Sequence, residues 1–128
     1  MNNKKPDSRP VYLNLLRIRQ PITAITSIGH RISGVLLFLS IPCLIWMLER
    51  SLSGPEGYQQ VMAFYDSGFA KLIVLLVAWS FVHHLFAGIR FLLLDIEWGV
   101  EIETARKTAM VANICGVLGV LAVLVMLL

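Results

Sequence analysis

Residues 72–89 read LIVLLVAWSFVHHLFAGI, an uncharged run of 18 residues bounded by Lys71 and Arg90. A helix needs roughly 17–25 residues to cross a bilayer. The run is continuously apolar, without the in–out alternation of a barrel strand, so a membrane-spanning helix is the expected structure. Inside it stand two adjacent histidines, His83 and His84. An imidazole in hydrocarbon is costly unless something uses it, and ionisable residues within membrane spans mark function by default.

Two further charge-free runs flank this one: Ile32 to Leu48, 17 residues, and Thr108 to Leu128, 21 residues. The chain of 128 residues is 57% hydrophobic and 15% charged, against about 25% charged in soluble domains, so much of its surface faces something other than water. The expected fold is an all-α integral membrane domain over residues 1–128. Residues 1–27 form a polar leader and helix start, and transmembrane helices lie near 28–50, 68–93 and 107–128. The first run is not read as a cleaved signal, because its polar leader is about 20 residues long and no small-x-small cleavage site follows. Pro42 should bend the first span. The connections are 49–68, with SGPEG as a turn, and 94–107.

The basic residues are divided unequally. Lys4, Lys5, Arg9, Arg17, Arg19 and Arg31 lie at or before the first span, and Arg90, Arg106 and Lys107 at the second connection; the opposite side has only Arg50 and Lys71. Positive-inside counting puts the N-terminus in the cytoplasm, or in a mitochondrial matrix, and the C-terminus outside. A net charge of +3 is too small to argue for nucleic acid. Cys43 and Cys115 sit in apolar runs without metal-site spacing and read as packing residues. In the third span Ala105, Ala109, Ala112, Gly116 and Gly119 make a small-residue face, suited to close packing either within this chain or against another subunit.

Polar chemistry gathers in two places. In PITAITSIGHRISG, residues 21–34, Ser27 and Arg31 are four apart and share a helix face, with His30 beside it. A hydroxyl, an imidazole and a guanidinium at the membrane boundary can bind the polar head of a lipid-soluble molecule. They can equally anchor the helix, with Arg31 snorkelling to phosphates. In the second span, histidine suits either an interhelical hydrogen bond or the axial ligation of haem iron. Successive helical residues point about 100° apart, so His83 and His84 cannot serve one iron. His84 has Ser80, Ala87 and Gly88 at helical spacing, room for a flat macrocycle, whereas His83 has bulky Trp79 and Phe86. Space therefore favours His84. Asp95, Glu97, Glu101 and Glu103 read as a solvated connection and a possible docking surface.

These segments resemble the cytochrome b556 membrane-anchor subunits of succinate dehydrogenase, respiratory complex II. RPVYLNLLRIRQPITAITSIGHRISG is similar to that family's first segment, with a Ser-x-x-His-Arg-x-Ser/Thr-Gly core at Ser27, His30, Arg31, Ser33 and Gly34. HLFAGIRFLLLD, residues 84–95, looks like its His-x-x-x-Gly-Ile-Arg…Asp segment, and SLSGPEGY like the outer loop of bacterial members. The resemblance implies one of two hydrophobic anchors in a bacterial inner membrane, packed with the second anchor into a haem-binding bundle. A flavoprotein with FAD and an iron–sulfur subunit would dock on the cytoplasmic side, where succinate oxidation would occur on the flavoprotein. Haem b would be shared between the anchors, with His84 as this chain's axial ligand and His30 and Arg31 near the propionates. Ser27 and Arg31 would line the ubiquinone site. Phe91 departs from the histidine that many members carry after Gly-Ile-Arg, and His83 lies outside the motif.

Two other functions compete with this reading. A self-assembling transporter needs an intramembrane carboxylate or similar coupling group, and all eight acidic residues lie outside the charge-free runs. A haem b anchor of another respiratory enzyme, such as a fumarate reductase, shares the same residues.

Overall fold

The computed structural model describes residues 18–128, so Lys4, Lys5, Arg9, Arg17 and most of the leader lie outside the described residues. Among those described, every regular element is helical: α1 Ile22–Leu52, α2 Pro55–Tyr65, α3 Gly68–Asp95 and α4 Ile102–Leu127. Helices α1, α3 and α4 are each long and apolar enough to cross a membrane, as the charge-free runs predict. α1 continues through Pro42.

The connection after α1 differs from the expected loop. The chain breaks at Ser53 and Gly54, whose φ of 130° suits glycine, and then forms α2. Pro55 starts this helix, where its fixed φ fits and its missing N–H costs nothing, and Glu56 lies in the positive first turn. α2 buries Gly57 and Val61 towards the rest of the chain. Arg50 donates from Nε to Gln60 Oε1 at 3.2 Å, holding α2 to the end of α1. Ser67 caps α3 by accepting from the Ala70 amide at 3.2 Å. At the far end of the bundle, α3 and α4 are joined by a short turn with Glu97 at φ 61° and Gly99 at φ 77°.

Among the described residues the interior contains no large aliphatic side chain. The buried hydrophobics are Val61, Ala70, Ala87, Ala109 and Ala112, and the largest fully buried side chains are Thr26, Ser33 and Ser80. Such a core would fail in water, where apolar burial drives folding. In lipid the surroundings are as apolar as leucine, so helices associate through close backbone packing and hydrogen bonds. The hydroxyls are satisfied within their own helices: Thr26 donates to Ile22 O, Ser33 to His30 O and Ser80 to Leu76 O, at 2.8–2.9 Å. The small-residue face of α4 turns onto α3 within the chain: a Cβ on Gly116 would lie 3.2 Å from His83 Cβ, and one on Gly119 2.7 Å from Val82 Cγ2. The outer surface is correspondingly apolar. At most 17% of any spanning window is buried inside the chain, so the remainder meets lipid or another subunit.

Two measurements test this arrangement. A topology reporter fused after Leu128 should be active only on the outer side of the membrane; activity in the cytoplasm would contradict three crossings from a cytoplasmic N-terminus. Ala112→Leu inserts a branched side chain into the α3–α4 seam, and should destabilise the detergent-solubilised protein by about 1–3 kcal/mol, seen as a lowered thermal midpoint.

Candidate functional site

The two histidines leave α3 towards different neighbours. Residues Ser80, His83, Ala87 and Arg90 form the buried seam of α3. His84 lies on the adjacent face, against α1. Its Nδ1 is 3.0 Å from the carbonyl oxygen of His30 and 3.3 Å from Ser33 Oγ. A carbonyl oxygen only accepts, so Nδ1 carries the proton and the Nε2 lone pair lies bare in the ring plane. Ser33 Oγ is oriented by its own donation to His30 O. The ring fits because residue 34 is glycine: a Cβ there would stand 2.9 Å from His84 Cε1.

The His30 ring stacks on His84, with centroids 4.0 Å apart and planes 8° from parallel. This stacking covers one face of the His84 ring. A Cβ on Gly88 would stand 3.4 Å from His30 Nε2. Phe91 meets His30 edge-on at 5.2 Å, and the Arg90 guanidinium lies over the Phe91 ring at 5.3 Å. Position 91 is thus an aromatic packing position against His30. Arg90 itself is buried, donating to Thr108 Oγ1 at 3.1 Å and Ala105 O at 3.2 Å. That pair of bonds ties the C-terminal end of α3 to the N-terminal end of α4.

Ser27 and Arg31 sit near the start of α1, one turn apart, half-buried and exposed respectively. The structure therefore brings His30 together with His84 and leaves Arg31 directed outward at the same end of the bundle. The space around His84 comes from Gly34 of α1, while Gly88 makes room for the His30 ring that stacks on it. Ser80 and Ala87, which spacing alone associates with His84, belong to the His83 seam.

His83 makes the hydrogen bond expected of it. Its Nε2 is 3.0 Å from Asn113 Oδ1, and Trp79 stacks on it at 5.1 Å. Asn113 and Thr26 are polar partners that the sequence reading did not single out. The lone amide within the third apolar run was their visible signal.

Among the described residues no group of three or more His, Cys, Asp or Glu gathers to hold a metal ion. What α3 offers at His84 is one imidazole with its distal nitrogen held by a carbonyl. That donor suits haem iron, because a porphyrin supplies four nitrogens itself and needs only axial ligands from protein.

The sequence matches the family model described as succinate dehydrogenase/fumarate reductase transmembrane subunit over residues 5–126. It is 37% identical to the succinate dehydrogenase cytochrome b556 subunit of Coxiella burnetii, covering 79% of this chain and 82% of that one. It is 35% identical to the subunit of that name from Paracoccus denitrificans, over 80% and 78% of the two chains. The Rickettsia felis protein of the same name is 32% identical, over 91% and 87%. With three helices long and apolar enough to cross a membrane and a match running almost from end to end, the chain belongs to the succinate dehydrogenase/fumarate reductase transmembrane-subunit family.

Proposed function

We infer that this chain is a cytochrome b anchor of a succinate:quinone oxidoreductase in a bacterial inner membrane, and that it forms a single membrane-anchor domain. It shares haem b with a second hydrophobic anchor through His84 and helps form the ubiquinone-reduction site. FAD and the iron–sulfur clusters belong to the flavoprotein and iron–sulfur subunits that dock on the cytoplasmic side. The observation carrying this reading is the His84 imidazole, its Nδ1 proton directed to His30 O at 3.0 Å, which leaves Nε2 as the unprotonated nitrogen. Family membership supports the assembly, and the names of the bacterial relatives support succinate as the electron source.

A haem held by His84 supplies one-electron carriage within the membrane. The carbonyl of His30 orients the ligating ring and raises its basicity by accepting from Nδ1. His30 and Arg31 lie near the start of α1, where Arg31 would pair with a haem propionate. Quinone reduction takes two electrons and two protons, and the quinone carbonyl oxygens gain negative charge on the way. The Ser27 hydroxyl donates to one such oxygen and the Arg31 guanidinium stabilises the developing charge. Both stand at the start of α1, where protons arrive from water. Nothing in this chain acts on succinate; oxidation to fumarate takes place on the flavoprotein.

Ser27→Ala or Arg31→Leu should lower succinate–quinone reductase activity about 10–100-fold, the loss typical of one hydrogen bond to a charged group. Succinate oxidation by a water-soluble dye that takes electrons upstream should persist in the same preparations. Equal loss of both activities in an assembled complex would remove these residues from the quinone site. For the haem, His84→Leu should abolish or strongly perturb the b-type absorption bands of the purified complex, while His83→Leu retains them. Normal bands in assembled His84→Leu would overturn the ligand assignment.

A further inference from the structure

His83 is a buried titratable group that neither electron transfer nor quinone binding uses. It is 3% exposed, and its surroundings are built around it. A Cβ on Gly29 of α1 would lie 2.8 Å from its Cε1, and one on Gly116 of α4 3.4 Å from its Cδ2. Any larger residue at either position would displace the ring.

The protons along its hydrogen-bond chain can be assigned from one end. Thr26 Oγ1 lies 2.9 Å from Ile22 O and 3.3 Å from Ala109 O. Carbonyls only accept, so the Thr26 hydroxyl proton is committed to them, and Oγ1 accepts from Asn113 Nδ2 at 3.0 Å. The amide orientation is thereby set. Asn113 Oδ1 faces His83 and must accept, so His83 carries its proton on Nε2. Its Nδ1 is buried with no hydrogen-bond partner among the described residues. The chain His83–Asn113–Thr26 thus joins α3, α4 and α1 and runs in one direction, ending on backbone carbonyls of α1 and α4.

The neighbouring histidine has the opposite assignment. His84 is protonated on Nδ1 and open at Nε2. Two adjacent imidazoles about 100° apart pose a problem of choice, since a rotation of α3 by one residue would present the other. Asn113 resolves it. Its carbonyl oxygen can be satisfied by Nε2–H of only one of them, and that contact consumes the nitrogen through which His83 would ligate. In lipid no hydrophobic gradient sets a helix's rotation, so polar contacts do.

We propose that the His83–Asn113–Thr26 chain is a rotational lock on α3, a set of positioning residues that selects His84 over His83 as the haem ligand and fixes the plane of its ring. This rests on His84 being that ligand. The lock commits His83 Nε2 to Asn113 and so withholds it from iron, and it acts on the haem solely through the orientation of α3.

The test uses the whole purified complex and reads the oxidised haem by electron paramagnetic resonance. The g values of a low-spin haem report the orientation of an axial imidazole plane relative to the other ligand. Asn113→Leu and His83→Leu should retain haem but shift or split the largest g value and move the midpoint potential. His83→Gln, whose amide nitrogen can donate to Asn113 in place of Nε2, should restore both to the unsubstituted values. Thr26→Val keeps the side-chain shape while removing the hydroxyl, and carries the same expectation should Asn113→Leu fail to assemble. Unchanged g values and potential in assembled Thr26→Val or Asn113→Leu together with His83→Leu would overturn the lock. His84→Leu serves as the separate control: haem retained there would remove the ligand reading on which the lock is built, whereas haem lost there with unchanged lock variants would refute the lock alone.

Discussion

From one turn of α3, two imidazoles donate in different directions: His84 through Nδ1 to α1, and His83 through Nε2 to α4. The remainder of the bundle conforms to that pair. Gly34 makes room for one ring, Gly29 and Gly116 for the other, and Thr26 and Asn113 complete the polar path. Leaving such groups unpaired in hydrocarbon costs several kcal/mol each. The interhelical hydrogen bonds themselves are worth about 0.6 kcal/mol on average in membranes. The asymmetry between these magnitudes means that the network contributes little to the strength of association. Its effect is to exclude arrangements in which an imidazole or an amide is stranded.

The same logic explains a core made of alanine, serine and threonine. Large apolar side chains gain nothing by leaving lipid for the bundle interior, so they remain outside: Phe38, Trp46 and Phe69 are all well exposed. Small residues allow backbones to approach and let short hydroxyls reach carbonyls. The outward apolar surface is then available to lipid or to another subunit.

Charge sits at the ends. Arg90 is drawn inward by Thr108 and the Ala105 carbonyl, and its neighbour Phe91 packs against His30. Arg31, on the opposite wall, stays exposed. The end of the bundle where α1 and α4 begin therefore combines one guanidinium committed to joining α3 and α4 with another that is exposed, one turn from Ser27. This division separates holding the helices from the work proposed for the quinone and propionate side.

Three spanning helices and the importance of the paired histidines were legible in the sequence, because hydrocarbon permits few charges and every departure from apolar composition stands out. The motif residues Ser27, His30, Arg31 and His84 were legible for the same reason and through the resemblance they carry. α2 was not, because 11 residues containing two glutamines and a proline beside a glycine read as a connection until Val61 and Gly57 are seen buried. Nor were the environments of the histidines: spacing along α3 assigns Ser80 and Ala87 to His84, whereas the bundle buries them with His83. Spacing within one helix determines which residues share a face but says nothing about which neighbouring helix that face meets. The partners of His83 and His84, and hence which nitrogen of each ring holds its proton, come from α1 and α4 and were decided only when the three helices packed.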